Sequence, residues 1–212
     1  MSVEEVKICG VSKRYGLHRA LAKVDLQLAP GVCALLGPNG AGKSTLLGVV
    51  SSTIRPSTGT VHFVSEGKEL KGDIALRRQI GVLAHESFLY SGLTAFENLD
   101  FWGRLYEVED LEARSVELLR LVGLDEKAWT RTAGTYSRGM LQRLAVARTM
   151  LHDPSVLLLD EPFTGLDRGG AQALSRALQA AVERGCTLLV ITHDLESIAD
   201  ITNHVAVLRR GK

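Results

Sequence analysis

The chain has 212 residues, a formal net charge of +1, and 45% hydrophobic and 23% charged residues. That length suits one domain with a sizeable core, and the near-neutral balance argues against wholesale binding to nucleic acid. No apolar run reaches the roughly 18 residues of a membrane span, and Met1-Ser2-Val3-Glu4-Glu5 lacks the basic start and apolar core of a signal peptide.

Val3 to Ile8 reads as a first strand, and Leu26, Leu28 and Val32 to Leu36 continue a β-rich opening. Between them lies Lys13-Arg14-Tyr15-Gly16. Its aromatic reads either as a ring that stacks on an adenine or as a half-buried strand side chain. Cys9, Cys33 and Cys186 are an odd number, far apart, and read as core thiols in a reducing cytosol.

Gly37-Pro38-Asn39-Gly40-Ala41-Gly42-Lys43-Ser44-Thr45 satisfies G-x-x-x-x-G-K-[ST], the phosphate-cradling P-loop. Its glycines let the backbone turn tightly and aim N–H groups at an anion. Lys43 adds a charge for the β- and γ-phosphates of a nucleotide, and the Ser44 hydroxyl suits Mg²⁺. The apolar strand before it, and helical spacing at Leu46, Val49, Val50 and Ile54 after it, complete an anion site.

Arg55 to Thr60 is a turn, followed by a strand at Val61 to Val64 and a polar loop from Glu66 to Gly72. Past Arg77 and Arg78, Ile80 to Leu83 is another short strand. From Leu93 to Leu151 the pattern becomes helical. Thr94 and Glu97 form a capping box. Leu111, Ser115, Leu118, Leu119 and Val122 mark one face of a helix stopped by Gly123. Ser137 caps a third helix carrying Leu141, Leu144 and Ala145, which Asp153-Pro154 ends. This block, about residues 88–152, is expected as a helical subdomain inserted within a single domain spanning 1–212.

Val156 to Asp160 resumes the strand pattern, and Leu174, Ala177, Leu178, Ala181 and Val182 form an amphipathic stripe. Strands follow at Thr187 to Thr192 and His204 to Leu208. Strands alternating with helices call for a mostly parallel, helix-covered sheet. Asp160 and Glu161 then stand at a strand's C-terminal end, the edge where open α/β sheets bind ligands. Asp160 can hold Mg²⁺, and Glu161 can take the proton from water attacking the γ-phosphate. A solvated acidic pair is the plainer alternative. Candidates to close the γ-phosphate site are Ser137-Arg138-Gly139 and His193, although alone they read as a helix cap and a strand-end histidine.

Together these residues resemble the nucleotide-binding subunit of an ATP-binding cassette (ABC) transporter, over nearly the whole chain. The resemblance implies an α/β P-loop NTPase (RecA-like) core with a mixed sheet, an N-terminal antiparallel β portion and an inserted α-helical subdomain. It matches Tyr15 to the adenine-stacking loop, Gly37 to Thr45 to Walker A, and Val156 to Glu161 to Walker B with its catalytic glutamate. Tyr136-Ser137-Arg138-Gly139-Met140, followed by Gln142-Arg143, looks like the signature loop, which in the family contacts ATP held by the opposite subunit. Gly165-Leu166-Asp167 matches the D-loop, and His193 the switch histidine.

Two departures stand out. Tyr136, Arg138 and Met140 replace the first, third and fifth residues of the common LSGGQ. His85 stands where the family usually has a glutamine reaching Mg²⁺ and the attacking water; a surface-loop histidine is the alternative. The Tyr-Ser-Arg-Gly-Met form is similar to ATPases of ABC-2-type drug and lipid exporters. His85 followed by Phe88 to Leu99 looks like haem-exporter ATPases of cytochrome c maturation, and the reading leans to that branch.

The resemblance further implies ATP and Mg²⁺ as ligands, and head-to-tail pairing with a second copy or a related ATPase subunit. It implies a separate integral membrane permease, peripheral attachment at the cytoplasmic face of the cell membrane, and no nucleic acid partner. A soluble ABC ATPase acting on nucleic acid or ribosomes competes, but a single cassette without heptads or paired cysteines counts against it. The family generally continues past Arg210-Gly211-Lys212, so a C-terminal piece is expected beyond this chain.

Overall fold

The computed structural model describes residues 2–70 and 73–212; Met1 and the Lys71-Gly72 end of the expected polar loop lie outside the described residues. The chain opens with β1 (Glu5–Tyr15), β2 (His18–Leu28), β3 (Gly31–Leu36) and α1 (Lys43–Val50). Then come β4 (Thr58–Ser65), β5 (Lys68–Glu69), α2 (Asp73–Arg77) and β6 (Ile80–Leu83). Three helices follow, α3 (Ala95–Tyr106), α4 (Leu111–Leu121) and α5 (Arg138–Met150). The chain closes with β7 (Val156–Asp160), α6 (Arg168–Glu183), β8 (Thr187–Ile191) and β9 (Thr202–Val207).

The expected antiparallel and parallel parts are both present, as two sheets ordered β2-β1-β4-β5 and β6-β7-β8-β3-β9. β1 continues well past Ile8, because a bulge between Ile8 and Val11, with Gly10 at φ 57°, absorbs the irregularity without ending the strand. Alternation along β1 buries Val6 and Ile8 and turns Lys7 and Cys9 outward. The Cys9 thiol is therefore exposed, which corrects its reading as a core thiol; Cys33 and Cys186 are buried as expected. Burial pushes the Cys186 thiol up to about 12.

Two further boundaries differ from expectation. Helix α1 stops at Val50, because the Gly48 carbonyl accepts the N–H groups of both Thr53 and Ile54 and draws the chain back over the helix. Glu66 and Gly67, both at positive φ, close a two-residue hairpin into β5 where a polar loop was expected. The short helix α2 was not foreseen.

The parallel sheet has apolar residues on both faces, as its continuous apolar runs require. Leu157, Leu159, Leu188 and Val190 face a core shared with Leu144 of α5 and Leu174 and Leu178 of α6. Val156, Leu158, Leu189 and Ile191 face the other way, onto Leu46 and Val50 of α1 and Phe63 of the antiparallel sheet. Helices α3, α4 and α5 pack on one another around Leu99, Leu118, Leu119 and Leu144. The Thr94–Glu97 capping box forms as expected, and Gly123 takes the positive φ that ends the α4 segment. Among the described residues no helix is long and apolar enough to cross a membrane.

Candidate functional site

Strand register assembles the site. In the parallel ladder Leu35 of β3 pairs with Ile191 of β8, Ile191 with Asp160 of β7, and Leu159 with Leu83 of β6. The residues just beyond these pairs leave the sheet at one edge, formed by the C-terminal ends of the strands. They are Gly37, His193, Glu161 and His85.

The P-loop is shaped by two glycines. Gly37 sits at φ 146°, and a Cβ there would lie 2.1 Å from the Leu208 carbonyl oxygen. Gly42, at φ 106°, would put a Cβ 2.4 Å from the Ala20 carbonyl oxygen. Both positions demand a backbone conformation and a close approach that only glycine allows. Pro38, Asn39 and Gly40 are exposed at the tip, Ala41 is buried, Ser44 is exposed and Thr45 half-buried. Lys43 Nζ donates to the carbonyls of Gly37 at 2.7 Å and Pro38 at 3.2 Å, which holds a cation against the loop. The first turn of α1 carries no acidic residue, so no side chain of that turn offsets the positive end of its dipole.

Opposite the loop, Glu161 has a left-handed backbone at φ 52°, anchored by its N–H on the Ile191 carbonyl at 2.8 Å. Its Oε2 lies 2.8 Å from His193 Nδ1 and accepts from the His193 N–H at 3.4 Å. The hydrogen bond and charge of Glu161 raise the exposed His193 imidazole above the ordinary histidine range. Asp160 ends β7 half-buried. The oxygens of Ser44 and Asp160 are donors of the kind Mg²⁺ takes, whereas the exposed His85 offers a nitrogen, a poorer match for that hard ion. Among the described residues no group of three or more His, Cys, Asp or Glu is arranged to hold a metal ion.

The signature-like residues sit at the start of α5. Tyr136 is buried and donates its hydroxyl to the Ala128 carbonyl at 2.6 Å, so it is a core residue. Ser137 caps the helix by accepting the Met140 N–H at 3.3 Å, and it is exposed, as is Arg138. A Cβ on Gly139 would lie 2.7 Å from the Gly165 carbonyl oxygen, so α5 meets the D-loop closely there. Met140 packs against the core. Gln142 donates within its own chain to the carbonyls of Glu161 at 3.2 Å and Pro162 at 3.0 Å. Asp167 caps α6 through the Gly170 N–H and pairs with Arg143 at 2.8 Å; these two contacts hold its carboxyl below the usual range. Tyr15 ends β1, is 48% exposed, and has Lys13 Nζ 5.0 Å from its ring centre. Tyr15 is thus a half-exposed strand aromatic.

The ABC transporter family model matches residues 21–164. The chain belongs to the ABC transporter ATP-binding family. It is 36% identical to daunorubicin resistance ATP-binding protein DrrA3 of Streptomyces coeruleorubidus, over 100% of this chain and 67% of that protein. It is 40% identical to the Fe(3+) ions import ATP-binding protein FbpC of Mesorhizobium japonicum, over 100% of this chain and 59% of that protein. Among solved structures it superposes on the dimeric post-hydrolysis ATP-binding cassette MJ0796 bound to ADP and Pi with a TM-score of 0.86. That match has 28% identity and covers 97% of this chain and 95% of the other. The cassette is thus an ATPase of the transport-coupled kind.

Two polar residues that sequence reasoning passed over, Asn98 and Arg148, and one named there only as part of the signature-like loop, Arg143, tie this cassette's site together. Asn98, fully buried in α3, accepts the Tyr90 N–H and donates to the carbonyls of Tyr90, Leu93 and Thr94. It fixes the far end of the loop that begins at His85. Arg148, 7% exposed, donates to the Val82 carbonyl and lies over the rings of Phe88 and Trp102 at 5.8 and 5.3 Å. Arg143 bridges Asp167 to the Gly123 carbonyl. A lone arginine inside Leu144-Ala145-Val146-Ala147-Arg148-Thr149-Met150 was the available signal for Arg148. Arg143 was marked only as part of the signature-like loop, and nothing local marked Asn98.

Proposed function

We propose that this cassette hydrolyses ATP with Glu161 as general base and His193 as its partner at the γ-phosphate. The Glu161–His193 pair on the sheet edge that also carries the P-loop is the observation behind this reading. Residues 37–45 bind the phosphates through backbone N–H groups and Lys43, and Tyr15 stacks on the base. Ser44 and Asp160 hold Mg²⁺, which supplies charge neutralisation at the phosphates. Glu161 accepts the proton of the attacking water, while His193 keeps the carboxylate oriented and offers a positive donor towards the γ-phosphate.

The functional unit is a head-to-tail pair, with Ser137, Arg138 and Gly139 of one copy completing the γ-phosphate shell of the other. The exposure of Ser137 and Arg138 at the start of α5 supports this, as does the likeness to a cassette described as dimeric. Residues 88–152 act as a helical subdomain within a single domain. Together with the His85 loop, they transmit closure of the pair to a separate membrane-embedded permease at the cytoplasmic face. The exposed Phe88, Tyr90, Phe101 and Leu105 suit that contact.

Export is the direction we assign, on the Tyr136-to-Met140 form of the signature loop and the daunorubicin-resistance relative. The relatives described above are named for a drug and for iron, so the haem-export branch rests only on His85 and the Phe88-to-Leu99 segment. The drug- and lipid-exporter branch is the better supported of the two. The deciding experiment is a pull-down from detergent-solubilised native membranes, with mass spectrometry of the partners. A multi-span drug- or lipid-exporter permease is expected. A haem-exporter permease would reverse the branch, and recovery of ribosomal or DNA-bound partners alone would overturn the transport reading.

A further inference from the structure

Gln142 and Arg143 are consecutive residues of α5 and hold the two ends of one short segment, Glu161 to Asp167. The Gln142 amide has two N–H bonds; one points to the Glu161 carbonyl at 3.2 Å and the other to the Pro162 carbonyl at 3.0 Å. The next side chain, Arg143, holds the Asp167 carboxylate at 2.8 Å. Between these ends Gly139 and Gly165 meet too closely to admit a Cβ.

Glu161 needs such support. A non-glycine residue at φ 52° is strained, and it persists only where its surroundings over-determine it. The following Pro162 has no N–H with which to anchor the turn. The remaining backbone bonds are Glu161 N–H to Ile191 and Thr164 N–H to the Glu161 carbonyl at 3.2 Å. His193 meets the Glu161 carboxylate, but among the described residues Gln142 is the side chain that holds the backbone carbonyls of this turn, and it belongs to a helix capped by Ser137.

We propose that Gln142 is a positioning residue for Glu161: it sets the backbone from which the carboxylate reaches the attacking water, and it links that backbone to the start of α5 in the same chain. The role rests on Glu161 being the general base. Displacement of α5 then moves Glu161 directly, through the two carbonyls that the Gln142 amide holds.

The test is steady-state ATP turnover of the purified chain and its Gln142→Met, Gln142→Lys and Glu161→Gln variants, with thermal melting of each. Met keeps the length and apolar stem but removes both donors, whereas Lys restores donors for two carbonyls. Gln142→Met is expected to lower kcat about ten- to a hundredfold, as small misplacements of a catalytic group do, with KM for ATP within about twofold of the parent. Gln142→Lys is expected to recover most of that loss. An unchanged kcat in Gln142→Met overturns the proposal. So does an equal loss in Met and Lys accompanied by a lowered melting temperature, which would mean packing alone. A raised KM with kcat retained would place Gln142 at a nucleotide after all. Normal turnover in Glu161→Gln would remove the base assignment itself, whereas an inactive Glu161→Gln beside a normal Gln142→Met sinks only the positioning role.

Discussion

His193 Nδ1 stands 2.8 Å from Glu161 Oε2, although the two residues are separated by a helix and a strand in sequence. The parallel pairing of β7 with β8 brings them together, since Asp160 and Ile191 are register partners. A carboxylate so placed raises the imidazole's affinity for a proton. In a histidine NMR titration, His193 is therefore expected to have a midpoint above the ordinary value of about 6.5. Glu161→Gln should bring that midpoint back down. The stabilisation that the pair contributes is full below the unfolded-state midpoint and is lost as pH rises through the folded one. An unshifted His193 would mean that the pair does not form in solution.

Among the described residues, Lys43 Nζ hydrogen-bonds the carbonyls of Gly37 and Pro38. Lys43→Ala should leave the melting temperature nearly unchanged but weaken ATP binding by roughly ten- to a hundredfold, the usual range for losing a charged hydrogen-bond donor. Equilibrium binding of a fluorescent ATP analogue measures this. Unaltered affinity would contradict the phosphate role of the loop.

His85 leaves β6 at the catalytic edge and is exposed. Glutamine can make the same hydrogen bonds as donor or acceptor. His85→Gln is thus expected to keep ATP turnover within about threefold of the parent, as loss of one exposed and replaceable bond allows. A dead variant would show that the imidazole has chemistry of its own.

His152 is a separate case, away from the catalytic edge. It is stacked on Tyr106 at 3.9 Å, and burial pushes its imidazole down to about 4. It is neutral when folded, while the unfolded chain protonates it near 6.5, so the unfolded state binds more protons. Stability should consequently fall as pH drops from about 6.5 towards 4, by at most about 1.4 kcal/mol per pH unit from this group. Denaturant melts of His152→Phe should show a flatter dependence over that window. An equal slope in both proteins would assign the acid sensitivity elsewhere.

The sequence alone determined the features whose physics is local. The P-loop was legible because glycine spacing, a flanking apolar strand and a following helix are all neighbours in the chain. The Asp160–Glu161 pair was legible as the end of an apolar run, and the Thr94–Glu97 capping box as a pattern only four residues long. Amphipathic spacing located α4 and α6 for the same reason.

What the sequence could not carry was whatever depends on one element finding another. Cys9 was misplaced because the usual burial of free cysteines was weighed above the Val6-Lys7-Ile8-Cys9 alternation, which sets it on the outward face with Lys7. The motif marked Gln142 but not its intrachain bonds, which exist because α5 lies against the Glu161–Pro162 turn. Arg148 gains its rings from α3 and the His85 loop, and Asn98 gains its carbonyls from the same loop. Those contacts depend on how the helices pack, and the burial that makes them necessary exists only once the chain has folded.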